Sequence, residues 1–398
     1  MLDFLSERIK RIEYPIRKYS PLALELEAKG EKILYLNIGD PLKYDFRPPE
    51  YLVEYACEVM RENKNFYSNS QGIKELREAI AYKEKTWNGV EIPPKNIYVT
   101  IGVSEAINLV YMTLLNEGDE VLIPDPSYPL YIGYADVYGA KKVFYKMDEE
   151  NGWNPDTDDI RKKISNKTKL IVVNNPNNPT GSLYSEKALR EVLDIAAEHK
   201  IPVVSDEIYD AIVYEGTFKS LASIAPDDVM VIGLNGFSKT YLVTGWRLGY
   251  IYLKGPEKSV EAIGKSILKG QMARLSATTP LQYALARALR EKPRHLADLR
   301  RKLDERRRFM VKRLNEIDGI RVVAEPRAAF YVFPRIEVGI DDEEFTKRLL
   351  IEEKVFVVYG SGFGPNGKNH IRLVFLPPVE VMEEALDRIE RFIKMLKS

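Results

Sequence analysis

Residues 170–181 read LIVVNNPNNPTG. Leu170 to Asn174 is an apolar, β-branched run without polar alternation, the pattern of a strand buried on both faces. It breaks at once into Asn, Pro and Gly, the residues of turns and loops. The same pattern recurs on either side. Candidate strands lie at Ile97–Ile101, Val121–Ile123, Lys142–Tyr145, Val203–Ser205, Val229–Leu234 and Gly249–Leu253, seven with the first. Amphipathic stretches separate several of them. Ser185 is a candidate N-cap, after which Leu189, Val192, Leu193 and Ala196 share one face. Ile73, Leu76, Ile80 and Lys83 line an earlier helix ending near Trp87. Strands alternating with helices predict an α/β domain whose mainly parallel, seven-stranded sheet is covered on both sides.

The pattern changes after about Pro280. The run KPRHLADLRRKLDERRRFMVKRLNEI is a long charged helix, and its basic residues read as a solvated face. Short strands are predicted at Arg321–Val323, Phe330–Phe333, Val355–Val358 and His370–Phe375, with helices at Asp341–Glu352 and Val379–Lys397. This is a smaller α+β domain. The expected division is 1–44, an N-terminal segment packing with the small domain; 45–285, the large domain; and 286–398, the small one.

With 398 residues, two domains are the natural expectation. Fifty-nine basic residues balance 59 acidic ones, which argues against nucleic-acid binding through a broad basic surface. The single cysteine, Cys57, cannot form an internal disulfide; in the helical run Tyr51–Met60 it is expected to be buried and structural. The N-terminus lacks a signal-peptide core, and no apolar run approaches the roughly 20 residues that span a bilayer. A cytoplasmic protein without membrane contact is the expectation. The three histidines, His199, His295 and His370, are too scattered for a metal site. Gly360-Ser-Gly362-Phe-Gly364 lacks the third glycine of a dinucleotide fingerprint and reads as a loop.

Three segments carry chemistry, each directly after a strand: Asn174–Gly181 (NNPNNPTG), Ser205–Tyr209 (SDEIY) and Asn235–Tyr250 (NGFSKTYLVTGWRLGY). In an open α/β sheet, ligands bind at the carboxyl ends of strands. Asn, Asp, Tyr, Lys and Arg are therefore brought toward one crevice. A fourth segment, Gly102-Val103-Ser104-Glu105, follows a strand and opens an apolar helix, where backbone N–H groups can hold an anion.

These blocks, in this order, resemble the class I/II aminotransferases, fold-type I enzymes dependent on pyridoxal 5'-phosphate (PLP). The resemblance runs from Asn37-Ile-Gly39-Asp-Pro41 to His370-Ile-Arg372, and is strongest to the archaeal alanine aminotransferases. It implies that Lys239 carries PLP as a Schiff base and later moves the substrate proton. Asp206 is implied to face the pyridine nitrogen, and Asn178 and Tyr209 the phenolic oxygen. Arg247, Ser238, Ser104 and the backbone of Gly102, Val103 and Glu105 would hold phosphate. Tyr128 would stack on the ring. Tyr67 matches the tyrosine that reaches the partner subunit's phosphate, which implies a homodimer with shared active sites. Arg372 would fork onto the substrate α-carboxylate, with Gly39 and Asn178 beside it.

The expected reaction moves an amino group from an L-amino acid to a 2-oxo acid, with alanine and 2-oxoglutarate/glutamate as first choices. Aspartate and aromatic or kynurenine-type donors are the alternatives, followed by a C–S lyase or an aminocyclopropane-carboxylate-type synthase on the same scaffold. Tyr14, Ile16, Tyr131, Arg274 and Tyr331 are candidates to line the side-chain pocket, Arg274 being the one possibility for a distal carboxylate.

Overall fold

The computed structural model describes residues 4–291 and 293–397; Lys292, which leads into the long charged helix, lies outside them. A large sheet organises the molecule. Across it the strands run Ile97–Thr100, Gly249–Lys254, Val231–Gly236, Val203–Asp206, Thr168–Asn174, Glu120–Asp125, Lys141–Asp148 and Asn154–Pro155. The central pairings are parallel. Gly249–Lys254 runs antiparallel to both its neighbours. The sheet thus has eight strands rather than seven. The additional one, Asn154–Pro155, is two residues long and pairs antiparallel at the edge, too short to produce a hydrophobic pattern.

The central strands are apolar in their middles because both faces are covered. Val121, Ile123, Leu170, Val172, Val204 and Ile232 pack on one side with Ile107, Val110 and Tyr111 of the helix Gly102–Leu114. Leu122, Ile171, Val173, Val203 and Val231 face the other side, with Leu189, Val192 and Leu193 of the helix Glu186–His199. The two-residue period of the strand sends alternate side chains to opposite cores. The second helix starts where Ser185 caps it, its hydroxyl accepting from the Ala188 N–H at 3.2 Å. The helix Lys74–Asn88 ends on Gly89, whose φ of 68° is the left-handed stop that glycine adopts without strain.

Cys57 corrects an expectation. The helix Glu50–Arg61 buries Leu52, Ala56 and Val59, whereas Cys57 is exposed. One position beyond Ala56 is about 100° around the helix, which carries the side chain off the packed face.

The C-terminal part is built on the helices His295–Glu316, Asp342–Glu353 and Val379–Lys397. The first buries Leu296, Leu299, Leu303, Met310 and Leu314 and turns most of its charges outward. The expected strand Val355–Val358 is split into Val355–Phe356 and Val358–Tyr359. The first half pairs in parallel with Leu34–Tyr35, joining the N-terminal segment to this layer. The second pairs with Ile371–Val374, which sets Arg372 opposite Val358.

Candidate active site

The parallel register places Asn174 beside Asp206 and Asp206 beside Leu234; two of the three strands end at that level and the third runs on to Gly236. Their following loops surround a cavity of about 490 Å³. Asn178, Asp206, Tyr209, Ser238, Lys239 and Arg247 line it from this side. Val103 and Ser104 line it from the start of the helix Gly102–Leu114, Tyr128 from the loop after Glu120–Asp125, and Gly39 and Arg372 from the N- and C-terminal segments. Eleven of the fourteen residues that the resemblance implies for cofactor and α-carboxylate therefore share one cavity.

Asp206 is buried at the floor. It accepts from Tyr131 Oη at 2.9 Å and from the Ile208 N–H at 3.3 Å. Burial pushes its carboxyl up to about 6 against the lowering pull of those donors. A carboxylate held there gains from a cation opposite it. Lys239 donates from Nζ to Gly39 O at 2.7 Å. Its ammonium is drawn down to about 8, first by burial, against Asp40, with Arg247 and Arg372 adding like-charge repulsion. A substantial neutral fraction near physiological pH gives the amine both nucleophilic and basic capacity.

Arg372 is fully buried, which pulls its guanidinium below the ordinary range. Nη1 donates to Asn178 Oδ1 at 2.9 Å and Nη2 to Asn37 O, while Nε has no partner. The rings of Tyr331 and Phe363 flank it at 4.7 and 5.0 Å. A buried cation with an unused donor is a receptor for an anion. Asn178 is fixed by its own N–H donating to Asn174 Oδ1 at 2.9 Å. Tyr209 and Tyr331 share a hydroxyl hydrogen bond of 2.7 Å, and Tyr14 and Tyr128 one of 3.1 Å.

Arg247 sits at a φ of 52° and donates to Thr244 O at 3.1 Å. Its guanidinium lies so close to Gly102 that a Cβ there would meet Nη2 at 2.5 Å. Gly102, with a φ of 70°, thus needs no side chain both for its backbone and for this approach. Gly102 and Glu105 do not line the cavity. The Glu105 carboxylate accepts from the Ile101 N–H at 2.6 Å, closing the helix start, and pairs with Arg274 at 2.7 Å.

Two pocket expectations are corrected. Arg274 is absent from the cavity wall because its guanidinium is engaged by Glu105, Val99 O and Leu275 O. Tyr131 stands behind Asp206 rather than in the wall. Tyr14, Ile16 and Tyr331 do line the cavity. So does Arg17, which sequence reasoning missed. Tyr67 is 81% exposed and outside this cavity. Among the described residues, no group of three or more His, Cys, Asp or Glu could hold a metal ion, and no helix is long and apolar enough to cross a membrane.

A sheet whose strand ends bring a lysine, an aspartate and an arginine to one cavity, with a buried arginine facing them, defines an enzyme of the aminotransferase type. The family described as aminotransferase class I and II matches residues 31–389. Aromatic-amino-acid aminotransferase 2 of Thermococcus litoralis is 39% identical, covering 99% of each chain. Glutamate-pyruvate aminotransferase AlaA of Haemophilus influenzae is 37% identical over 98% of this chain and 97% of its own. The structure of an alanine aminotransferase from Pyrococcus furiosus superposes with a TM-score of 0.96 at 49% identity, covering 98% of this chain and 100% of that one. The chain belongs to the class I and II aminotransferase family and is an aminotransferase.

Proposed function

We propose that the cavity binds PLP and exchanges amino groups between alanine and 2-oxoglutarate. The observation that carries this reading is the convergence of Lys239, Asp206, Arg247 and Arg372 on one cavity. The donor set fits the cofactor. Ser104, Ser238, Arg247 and the N–H groups opening the helix at Gly102 suit a phosphate. Asp206, short of a cation, suits a protonated ring nitrogen; Tyr209 and Asn178 suit a phenolic oxygen, and Tyr128 a ring face. Bound PLP supplies an electron sink for the pair left when the substrate Cα–H bond breaks.

Lys239 would hold the cofactor through its amine, and a substrate amine in that place would leave Nζ free as a base. With its pKa drawn to about 8, its amine would be able to take the Cα proton and return it across the intervening nitrogen, at the C4' carbon two bonds away. Arg372 fixes the α-carboxylate shared by every amino acid and 2-oxo acid, so one receptor serves both halves of the cycle. Gly39, which lines the same cavity, carries no side chain because the Tyr331 hydroxyl and the Phe330 ring occupy the place of a Cβ. Residues 45–285 would form the cofactor domain, with 1–44 and 286–398 bringing Gly39 and Arg372 to it. In a homodimer, the exposed Tyr67 would serve the partner's phosphate. A cytoplasmic setting belongs to the same reading.

The names of the Haemophilus influenzae and Pyrococcus furiosus relatives support alanine. An aromatic donor is the second reading, favoured by Tyr14, Tyr128 and Tyr331 in the wall and by the Thermococcus litoralis relative. A donor screen against 2-oxoglutarate decides between them. Alanine should give the highest kcat/KM, with parallel initial-rate lines when both substrates vary; a preference for tyrosine or phenylalanine would replace it with the second reading.

A further inference from the structure

The other cations of the cavity already have tasks. Arg372 is held by Asn178 and Asn37, Arg247 stands over Gly102, and Lys239 reaches Gly39 O. Arg17 has none. It ends the short turn Pro15–Arg17, lines the cavity, is exposed and, among the described residues, makes no side-chain hydrogen bond or ion pair. Asp40, the acidic group lining the same cavity besides Asp206, is engaged by Thr244 Oγ1 at 2.9 Å and by the Leu42 N–H at 3.2 Å.

The root of Arg17 is nevertheless fixed. Pro15 and Ile16 are buried. The Arg17 N–H closes the turn onto Tyr14 O at 3.0 Å, and Asn37 Nδ2 holds Ile16 O at 3.3 Å. Tyr14 is tied to Tyr128 across the cavity. A long cationic side chain on an anchored backbone, with its head unpaired, covers an arc of the cavity mouth at little cost in order.

A site that alternates between a small and a dicarboxylic substrate has a specific problem. Arg372 satisfies the α-carboxylate common to both. The second carboxylate of a dicarboxylic partner would enter an aromatic-lined space, where an unpaired charge is costly. Alanine and pyruvate bring only a methyl group, for which a fixed buried cation would itself be left unpaired. An exposed, jointed arginine meets both demands: it can pair with a distal carboxylate and return to water for a methyl group.

We propose that Arg17 binds the distal carboxylate of the dicarboxylic substrate, glutamate or 2-oxoglutarate. The proposal rests on the aminotransferase reading above and assigns the second substrate's selectivity to the N-terminal turn. The test uses the holoenzyme and its R17Q and R17K variants, with alanine as donor and either 2-oxoglutarate or pyruvate (the latter traced by isotope exchange) as acceptor. Losing a charge-assisted pair worth about 1.5–3 kcal/mol corresponds to roughly a 10- to 100-fold change. R17Q should lower the ratio of kcat/KM for 2-oxoglutarate to that for pyruvate by this factor, mainly through KM for 2-oxoglutarate, and R17K should recover part of it. Equal losses with both acceptors would assign Arg17 to the packing of the turn, and an unchanged ratio would leave it no role; either overturns the proposal. A wild-type enzyme that turns over pyruvate but no dicarboxylate overturns it alone, whereas one that moves no amino group with any pair overturns the aminotransferase reading as well.

Discussion

The floor and the mouth of the cavity are built in opposite ways. At the floor, strand ends carry groups that are buried and multiply held. Behind Tyr209, the buried Lys83 ammonium bonds Glu84 at 3.0 Å, Tyr250 Oη at 3.3 Å and Asp210, whose Oδ2 also accepts from Asn88 at 2.9 Å and Asn235 at 2.8 Å. This cluster ties the helix Lys74–Asn88 to Asp210, in the loop bearing Tyr209, and to the strand that precedes Lys239. At the mouth, Arg17 stands exposed on a three-residue turn. The contrast separates two tasks: chemistry common to every substrate needs fixed groups, while accepting two substrates of different charge needs one that can leave.

The comparison can be broken at several points. The largest effect is expected at the floor. Lys83→Met leaves Asp210 and Glu84 buried without their cation, a loss of about 3–5 kcal/mol. Denaturant unfolding measures it, and a change below about 1 kcal/mol would show that the cluster does not brace the strand ends. Next comes Arg372→Leu, which should cost about 2–5 kcal/mol of transition-state binding, read from kcat/KM. The loss should fall on alanine, glutamate, pyruvate and 2-oxoglutarate alike, in contrast to the selective loss from the mouth. A selective loss at Arg372 would erase the distinction between the two regions. The smallest effect concerns pH. Capture of PLP by the apoenzyme requires the neutral Lys239 amine, so its second-order rate should climb roughly tenfold per pH unit below about 8 and level off above it. Stopped-flow absorbance measures the profile; a midpoint near that of an ordinary lysine would mean that burial and the two arginines do not tune this amine.

The same contrast explains what could be read from the sequence. The floor was legible because buried strands leave unbroken apolar runs and because Asn178, Asp206 and Lys239 follow those runs directly. The mouth was not. Arg17 lies in a charged N-terminal stretch with Arg8, Lys10, Arg11 and Lys18, and nothing in local patterning separates a cavity arginine from solvated neighbours. Arg274 was misplaced for a related reason: its bond to Glu105 joins residues 169 positions apart. The edge strand Asn154–Pro155 exists only through its pairing with Lys141–Asp148. Cys57 was misread by one helical step from Ala56, which is enough to exchange core for solvent.

The central claim is that Lys239 is the lysine that holds the cofactor. Borohydride reduction of the holoenzyme, followed by proteolysis and mass spectrometry, tests it most directly, because reduction makes the lysine–cofactor bond permanent and the fragment masses locate it. The account predicts a pyridoxyl group on the peptide containing Lys239 and its absence from the Lys239→Ala protein. A group on any other lysine, or none on the reduced wild-type enzyme, would contradict it.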